Sequence, residues 1–252
     1  MKQQKALFKY ILRLGDNALI QGHRLSEWCS KGPILEEDLA LTNIALDNIG
    51  LAQAFLKYAA EIEGKGKTED DLAYKRPERQ FYNHQMAELP IGDFAVTIAK
   101  QLLISAFEVQ LFTALSQSED ETIAGIAAKG LKESRYHFVH SRDWCYRLGK
   151  GTALSHAKLQ QAIDDLWTYT GEFFEMTQED NILLVAGIAA DLDTIYPLWK
   201  EVVTTVLTEA TIKVPEDGFM QTGSRNGIHT EHLGHILAEM QYLQRAYPDA
   251  TW

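Results

Sequence analysis

Apolar residues in this 252-residue chain recur at steps of three, four and seven, and no segment sustains the alternation of a strand. Leu7, Ile11, Leu14, Ala18, Leu25 and Trp28 define a helix from about Gln3 to Cys29, closed by Ser30-Lys31-Gly32-Pro33. A second helix runs from about Leu35 to Ile62, a third from about Asp93 to Leu115, and a fourth from the turn at Ser116–Glu119 to about Leu148. Between the second and third lies the longest non-periodic stretch, from Gly64 to Pro90. At 1.5 Å per residue, helices of about 25 residues are roughly 38 Å long. Elements of that length and number commit the chain to an all-α bundle.

The connections narrow the topology. A short, then a long, then a short loop describes two antiparallel hairpins joined by one extended crossover, the arrangement of ferritin-like four-helix bundles. Further helices are expected at about Ala153–Met176, Asp193–Ile212 and Glu231–Tyr247, with loop signals at Val214–Gly218 and Thr222–Gly227. No break in composition marks a second domain. Residues 1–252 are therefore read as one domain, with a core bundle over about 3–148 and packing helices over about 152–247.

Composition excludes several classes of partner. The formal charge of −11 disfavours nucleic acid, whose phosphates require clustered Lys and Arg, and disfavours anionic lipid. Lys9, Arg13 and Asp16 interrupt the first apolar stretch, so it is read as neither a signal nor a membrane span. Two cysteines without a CxxC indicate a reducing compartment, and a cytoplasmic location is expected.

Each of the four long helices carries an acid within an apolar stripe. These are Asp16 beside Leu12 and Leu19, Asp47 beside Ile44 and Leu51, Glu108 beside Ile104 and Leu111, and Glu133 beside Ile126 and Gly130. Buried carboxylates require a partner or a metal. The di-iron carboxylate plan places one Glu on each of two helices and Glu-x-x-His on the other two. Here the third residue after Asp47 is Gly50, and the third after Glu133 is Tyr136; His137 stands one place too far along. The reading is that the acids form polar links with Arg, Lys, His or Tyr instead of holding metal. The alternative is an independent di-iron or dimanganese oxidase or oxygenase using Asp16, Asp47, Glu108, Glu133 and His137.

Two other segments carry suggestive residue types. In His229-Thr230-Glu231-His232-Leu233-Gly234-His235, His232 and His235 stand one turn apart and could chelate, whereas Thr230 reads as an N-cap with Glu231 in the first turn. Thr222-Gly223-Ser224-Arg225-Asn226-Gly227 reads as a surface turn, since it lacks the Lys-Ser/Thr of a phosphate loop and follows no strand.

Several blocks together carry a family resemblance. They are Leu12–Asn17, Asp38–Leu41 with Asn43-Ile44, Glu78–Phe81, Lys132–His137, His229–Gly234 and Ala238–Arg245. On these the chain resembles the phenylacetic acid catabolic proteins, and among them the structural (C) subunits of ring-1,2-phenylacetyl-CoA epoxidases. The resemblance spans nearly the whole chain. It implies a non-catalytic ferritin-like subunit that binds a homologous catalytic di-iron subunit, in a hetero-oligomer such as a heterotetramer; a homodimer is possible for the chain alone. It further implies that the complex epoxidises phenylacetyl-CoA with O2, and that electrons arrive from NADPH through a reductase with FAD and an iron–sulfur cluster. No catalytic or metal-binding residue carries over, because Gly50 and Tyr136 depart from the catalytic pattern. Asp16, Asp47, Gly50, Glu108, Glu133, Tyr136 and His137 are then vestigial positions.

Overall fold

A computed structural model describes residues 2–248 and 250. Among the described residues all regular structure is helical, as the apolar periodicity requires. The chain divides into two compact units: residues 1–90, 177–183 and 223–252 form the first, and residues 91–176 and 184–222 the second.

The first unit is built on a hairpin of α1 (Lys2–Ser26) and α2 (Leu35–Glu63). Two glycines set its register. A Cβ at Gly15 would stand 2.8 Å from Leu56, and one at Gly22 would stand 2.8 Å from Ile49. Seven residues forward on α1 thus meet seven residues back on α2, and the missing side chains let the helices close on one another. Gly64 ends α2 in the left-handed conformation, with φ of 67°.

The long connection is not structureless. It contains α3 (Glu69–Tyr74), started by a Thr68–Asp71 capping box, then a 3₁₀ turn at Glu78–Gln80, and α4 (Gln85–Glu88). These pieces are too short to show a helical period, so the sequence reads as loop.

In the second unit α5 (Phe94–Leu115) is central, touching three helices of that unit: α6 (Glu121–Gly149), α7 (Ala153–Trp167) and α9 (Leu192–Glu209). Side-chain carboxylates cap α5 and α6: Asp93 accepts from the Val96 amide at 3.2 Å, and Asp120 from the Ile123 amide at 3.0 Å. Trp199 of α9 donates its indole N–H to the Leu103 carbonyl at 3.0 Å, and packs among Phe173, Phe174 and Trp167.

Three element boundaries differ from the sequence expectation. The helix expected over 153–176 ends at Trp167 and gives way to a 3₁₀ turn at Thr170–Phe174, where Gly171 lies too close to Met220 for a side chain. A short helix, α8 (Gln178–Val185), follows, with too few apolar residues to register as periodic. The last expected helix divides into α10 (Glu231–Met240) and α11 (Tyr242–Ala246) at Gln241, whose buried amide donates to the carbonyls of Ala73 and Arg76, each at 3.0 Å.

Gly149 ends α6 against the start of the turn after α9. A Cβ there would lie 2.0 Å from the Ala210 carbonyl oxygen, a backbone atom that cannot swing aside. Gly149→Ala is therefore expected to cost about 1–3 kcal/mol in urea unfolding. Gly125→Ala, where a Cβ meets nothing within 4 Å, should be neutral or slightly stabilising.

Candidate functional site

The four acids of the apolar stripes meet different fates. Asp16 is fully buried on α1, and Arg76, also buried, grips both of its oxygens with the two terminal guanidinium nitrogens. The Tyr82 amide donates to the same carboxylate at 3.0 Å. Arg76 is itself fixed: it donates to the Leu72 carbonyl and, at 2.6 Å, to the Gln80 carbonyl, and its guanidinium lies 4.0 Å from the Phe81 ring centroid. Burial pushes the Asp16 carboxyl up, and the Arg76 charge and the hydrogen bonds from Arg76 and the Tyr82 amide oppose it. This geometry leaves no open carboxylate edge for a metal.

Glu108 on α5 is buried as expected, at 7% exposure. It accepts a hydrogen bond from Ser134 of α6 at 3.3 Å and lies near enough to buried His137 to feel its charge. Desolvation dominates, so its pKa rises to about 7 against the pull of His137 and Ser134.

Asp47 and Glu133, by contrast, are only half-buried. Glu133 forms an i,i+4 ion pair with Lys129 at 3.5 Å, and its other oxygen has no hydrogen-bond partner among the described residues. Gly50 supplies no donor. Tyr136, in the second vacant histidine position, is 50% exposed and has its ring against His137 and His140. Among the described residues no three His, Cys, Asp or Glu side chains stand together so as to hold one metal ion. The di-iron group does not fit: one acid is closed by arginine, two lie toward the surface, and both imidazole positions lack imidazole.

His232 is half-buried and His235 exposed on α10, and Thr230 caps that helix by accepting from the His232 amide at 3.3 Å. The histidine that matters structurally is His229. Its Nδ1 lies 2.9 Å from Glu88, and its Nε2 lies 2.9 Å from the Phe81 carbonyl. Two acceptors on one ring require both nitrogens to donate, which favours the imidazolium. Burial pushes His229 down, but Glu88 and the Phe81 carbonyl raise it above its ordinary value. Glu88 also accepts from the Thr230 amide at 2.6 Å and from Asn83 at 3.0 Å. Gly227 approaches the Arg79 carbonyl so closely that a Cβ would lie 2.3 Å from its oxygen. The Glu78–Phe81 and His229–Gly234 blocks are therefore the two halves of one clamp within the first unit.

A third buried ion pair was not legible in the sequence. Arg13 on α1 binds Asp180 of α8 through two hydrogen bonds, of 3.0 and 2.6 Å. Burial alone would push Asp180 up; the Arg13 charge and hydrogen bonds, with the Thr177 amide and hydroxyl, bring it down to about 2. Arg13 reads in sequence as one more charge on a helix, and its partner lies 167 residues away.

Residues 1–252 match the family described as phenylacetic acid catabolic protein. The chain is 51% identical over 246 residues to the C subunit of the 1,2-phenylacetyl-CoA epoxidase of Escherichia coli (strain K12), covering 98% of this chain and 99% of that protein.

Removing Asp16 should strand a buried guanidinium, so Asp16→Ala is expected to cost about 3–5 kcal/mol in denaturant unfolding, whereas Glu133→Ala, which breaks an ion pair only to the exposed Lys129, should cost less than about 1 kcal/mol. Glu108 has the opposite sign of linkage to an ordinary carboxylate. Its folded pKa lies above the ordinary value of 4.5, so its contribution to stability is complete below about 4.5 and is lost as pH rises through about 7. Glu108→Gln should accordingly gain about 2–4 kcal/mol relative to the parent chain on going from pH 4.5 to pH 8, measured by chemical denaturation at each pH.

Proposed function

The chain belongs to the phenylacetic acid catabolic protein family, and from that premise we propose that it is the non-catalytic structural subunit of a phenylacetyl-CoA epoxidase. In this reading it binds and stabilises a homologous catalytic subunit in a cytoplasmic hetero-oligomer. The catalytic subunit would hold the di-iron centre, and a separate reductase would use NADPH, FAD and an iron–sulfur cluster. This chain would carry no cofactor.

The observation that supports this most is the closed Asp16 site. An enzyme position that had merely lost its metal would leave a carboxylate exposed to solvent or unpaired. Here Arg76 and the Tyr82 amide occupy it, and Arg76 is braced by further bonds. A buried arginine with that many partners converts a ligand into a structural tie. The likeness to the Escherichia coli protein, itself the C subunit of such an epoxidase, supports the same assignment.

Co-expression with the catalytic subunit should yield a stable complex, and should raise the solubility or epoxidase activity of that subunit. Iron measured in the complex should follow the catalytic subunit and not this chain. A catalytic subunit fully active and stable alone would overturn the role. Near-stoichiometric iron or manganese on this chain alone, lost in Glu133→Ala, would establish the metalloenzyme alternative.

A further inference from the structure

Two helices of this chain have the same high apolarity but not the same burial. The most apolar windows of α2 and α5 both have a mean hydropathy of 1.3, yet 78% of the window is buried in α5 and only 44% in α2. The excess on α2 is not scattered. Leu35, Leu39 and Leu46 are 71%, 55% and 62% exposed. Their spacing of four and seven places all three within one narrow stripe, about 16 Å long at 1.5 Å per residue. The helix packs Leu41, Ala45, Ala52 and Ala59 on its opposite side.

The stripe leads into a groove. Beyond Leu46, Ile49 and Leu56 of α2 and Leu19 of α1 line a hollow of about 200 Å³, rimmed by Glu69, Asp70 and Tyr74 of α3. Asp70 and Tyr74 also line a second hollow of about 250 Å³, which reaches Tyr247. The two hollows share the Asp70–Tyr74 edge of α3, and the first has an apolar floor. Lys75, which lines the second hollow, is paired with Asp71 at 2.6 Å. Glu69 and Asp70 are the charged residues lining the first hollow.

We propose that this surface, from Leu35 along α2 to the Asp70–Tyr74 rim, docks an amphipathic helix of the homologous catalytic subunit. That helix would lay aliphatic side chains on the leucine stripe and set a Lys or Arg between Asp70 and the Tyr74 ring. This rests on the reading that the chain binds such a subunit. Apolar residues in an open groove suit a helix laid along it. The acidic rim selects a basic edge, and a cation between a carboxylate and an aromatic ring gains from both. A second copy of this chain is a poorer fit, since it brings the same acidic rim and a formal charge of −11 against its like.

The test measures binding of the catalytic subunit to the full chain by calorimetry, for the parent and for Leu46→Asp, Asp70→Lys and Asp70→Asn. These positions are at the surface, so melting temperatures should stay near the parent value, and a variant that melts early is replaced by Leu39→Ser. Leu46→Asp and Asp70→Lys should each weaken binding about tenfold or more. Added salt should weaken the parent complex, and Asp70→Asn should reduce that salt dependence. Parent-like affinity in Leu46→Asp and Asp70→Lys would overturn the surface assignment while leaving the subunit role intact. Failure of the parent chain to bind at all would sink the subunit role itself. A self-association abolished by these variants, with hetero-binding unchanged, would make the face a contact between copies and overturn the proposal.

Discussion

A carboxylate on the inner face of a long helix must be matched, and in the first unit the Asp16–Arg76 pair meets that requirement. The pair joins α1 to the crossover segment, because Arg76 follows α3 and bonds back to the Leu72 and Gln80 carbonyls. It also reaches the C-terminal segment, since Gln241 donates to the Arg76 carbonyl and to that of Ala73. One buried charge therefore organises three stretches distant in sequence. The Glu88–His229 pair and the Arg13–Asp180 pair repeat the device within the same unit. Each bonds to further groups beyond its ion partner, which is what makes a buried ion pair tolerable.

The second unit solves the same problem differently. Glu108 has no arginine; it has a serine, a nearby histidine and little solvent, so its proton is held to about pH 7. It stands on a helix that buries Ile104, Phe107, Leu111 and Phe112. The two hairpins thus each retain acids of the bundle plan but handle them with different chemistry. Neither arrangement resembles a ligand set that awaits an ion.

The family-diagnostic residues gain a physical meaning from this. Glu78–Phe81 and His229–Gly234 are far apart in the chain, and nothing in either block alone explains its composition. Together they form a clamp in which the Phe81 carbonyl and Glu88 fix His229, and Gly227 lies against the Arg79 carbonyl. The histidine-rich block supplies the Thr230 cap, a buried His229 held between two acceptors, and two histidines on α10, one half-buried and one exposed.

The sequence by itself determined the helical class, the two long hairpins with one extended crossover, and the absence of imidazole at Gly50 and Tyr136. Those follow from local rules: a 3.6-residue period, glycine and proline stops, and residue identity at fixed spacing. It also placed Asp16 and Glu108 on buried faces. Tertiary structure alone decided that Asp47 and Glu133 lie half-exposed, because helix rotation depends on what packs against the stripe. It alone found Arg76 and Asp180 as partners, 60 and 167 residues from the groups they match. Periodicity reports which face of a helix is apolar; it does not report which distant charge will be folded against that face.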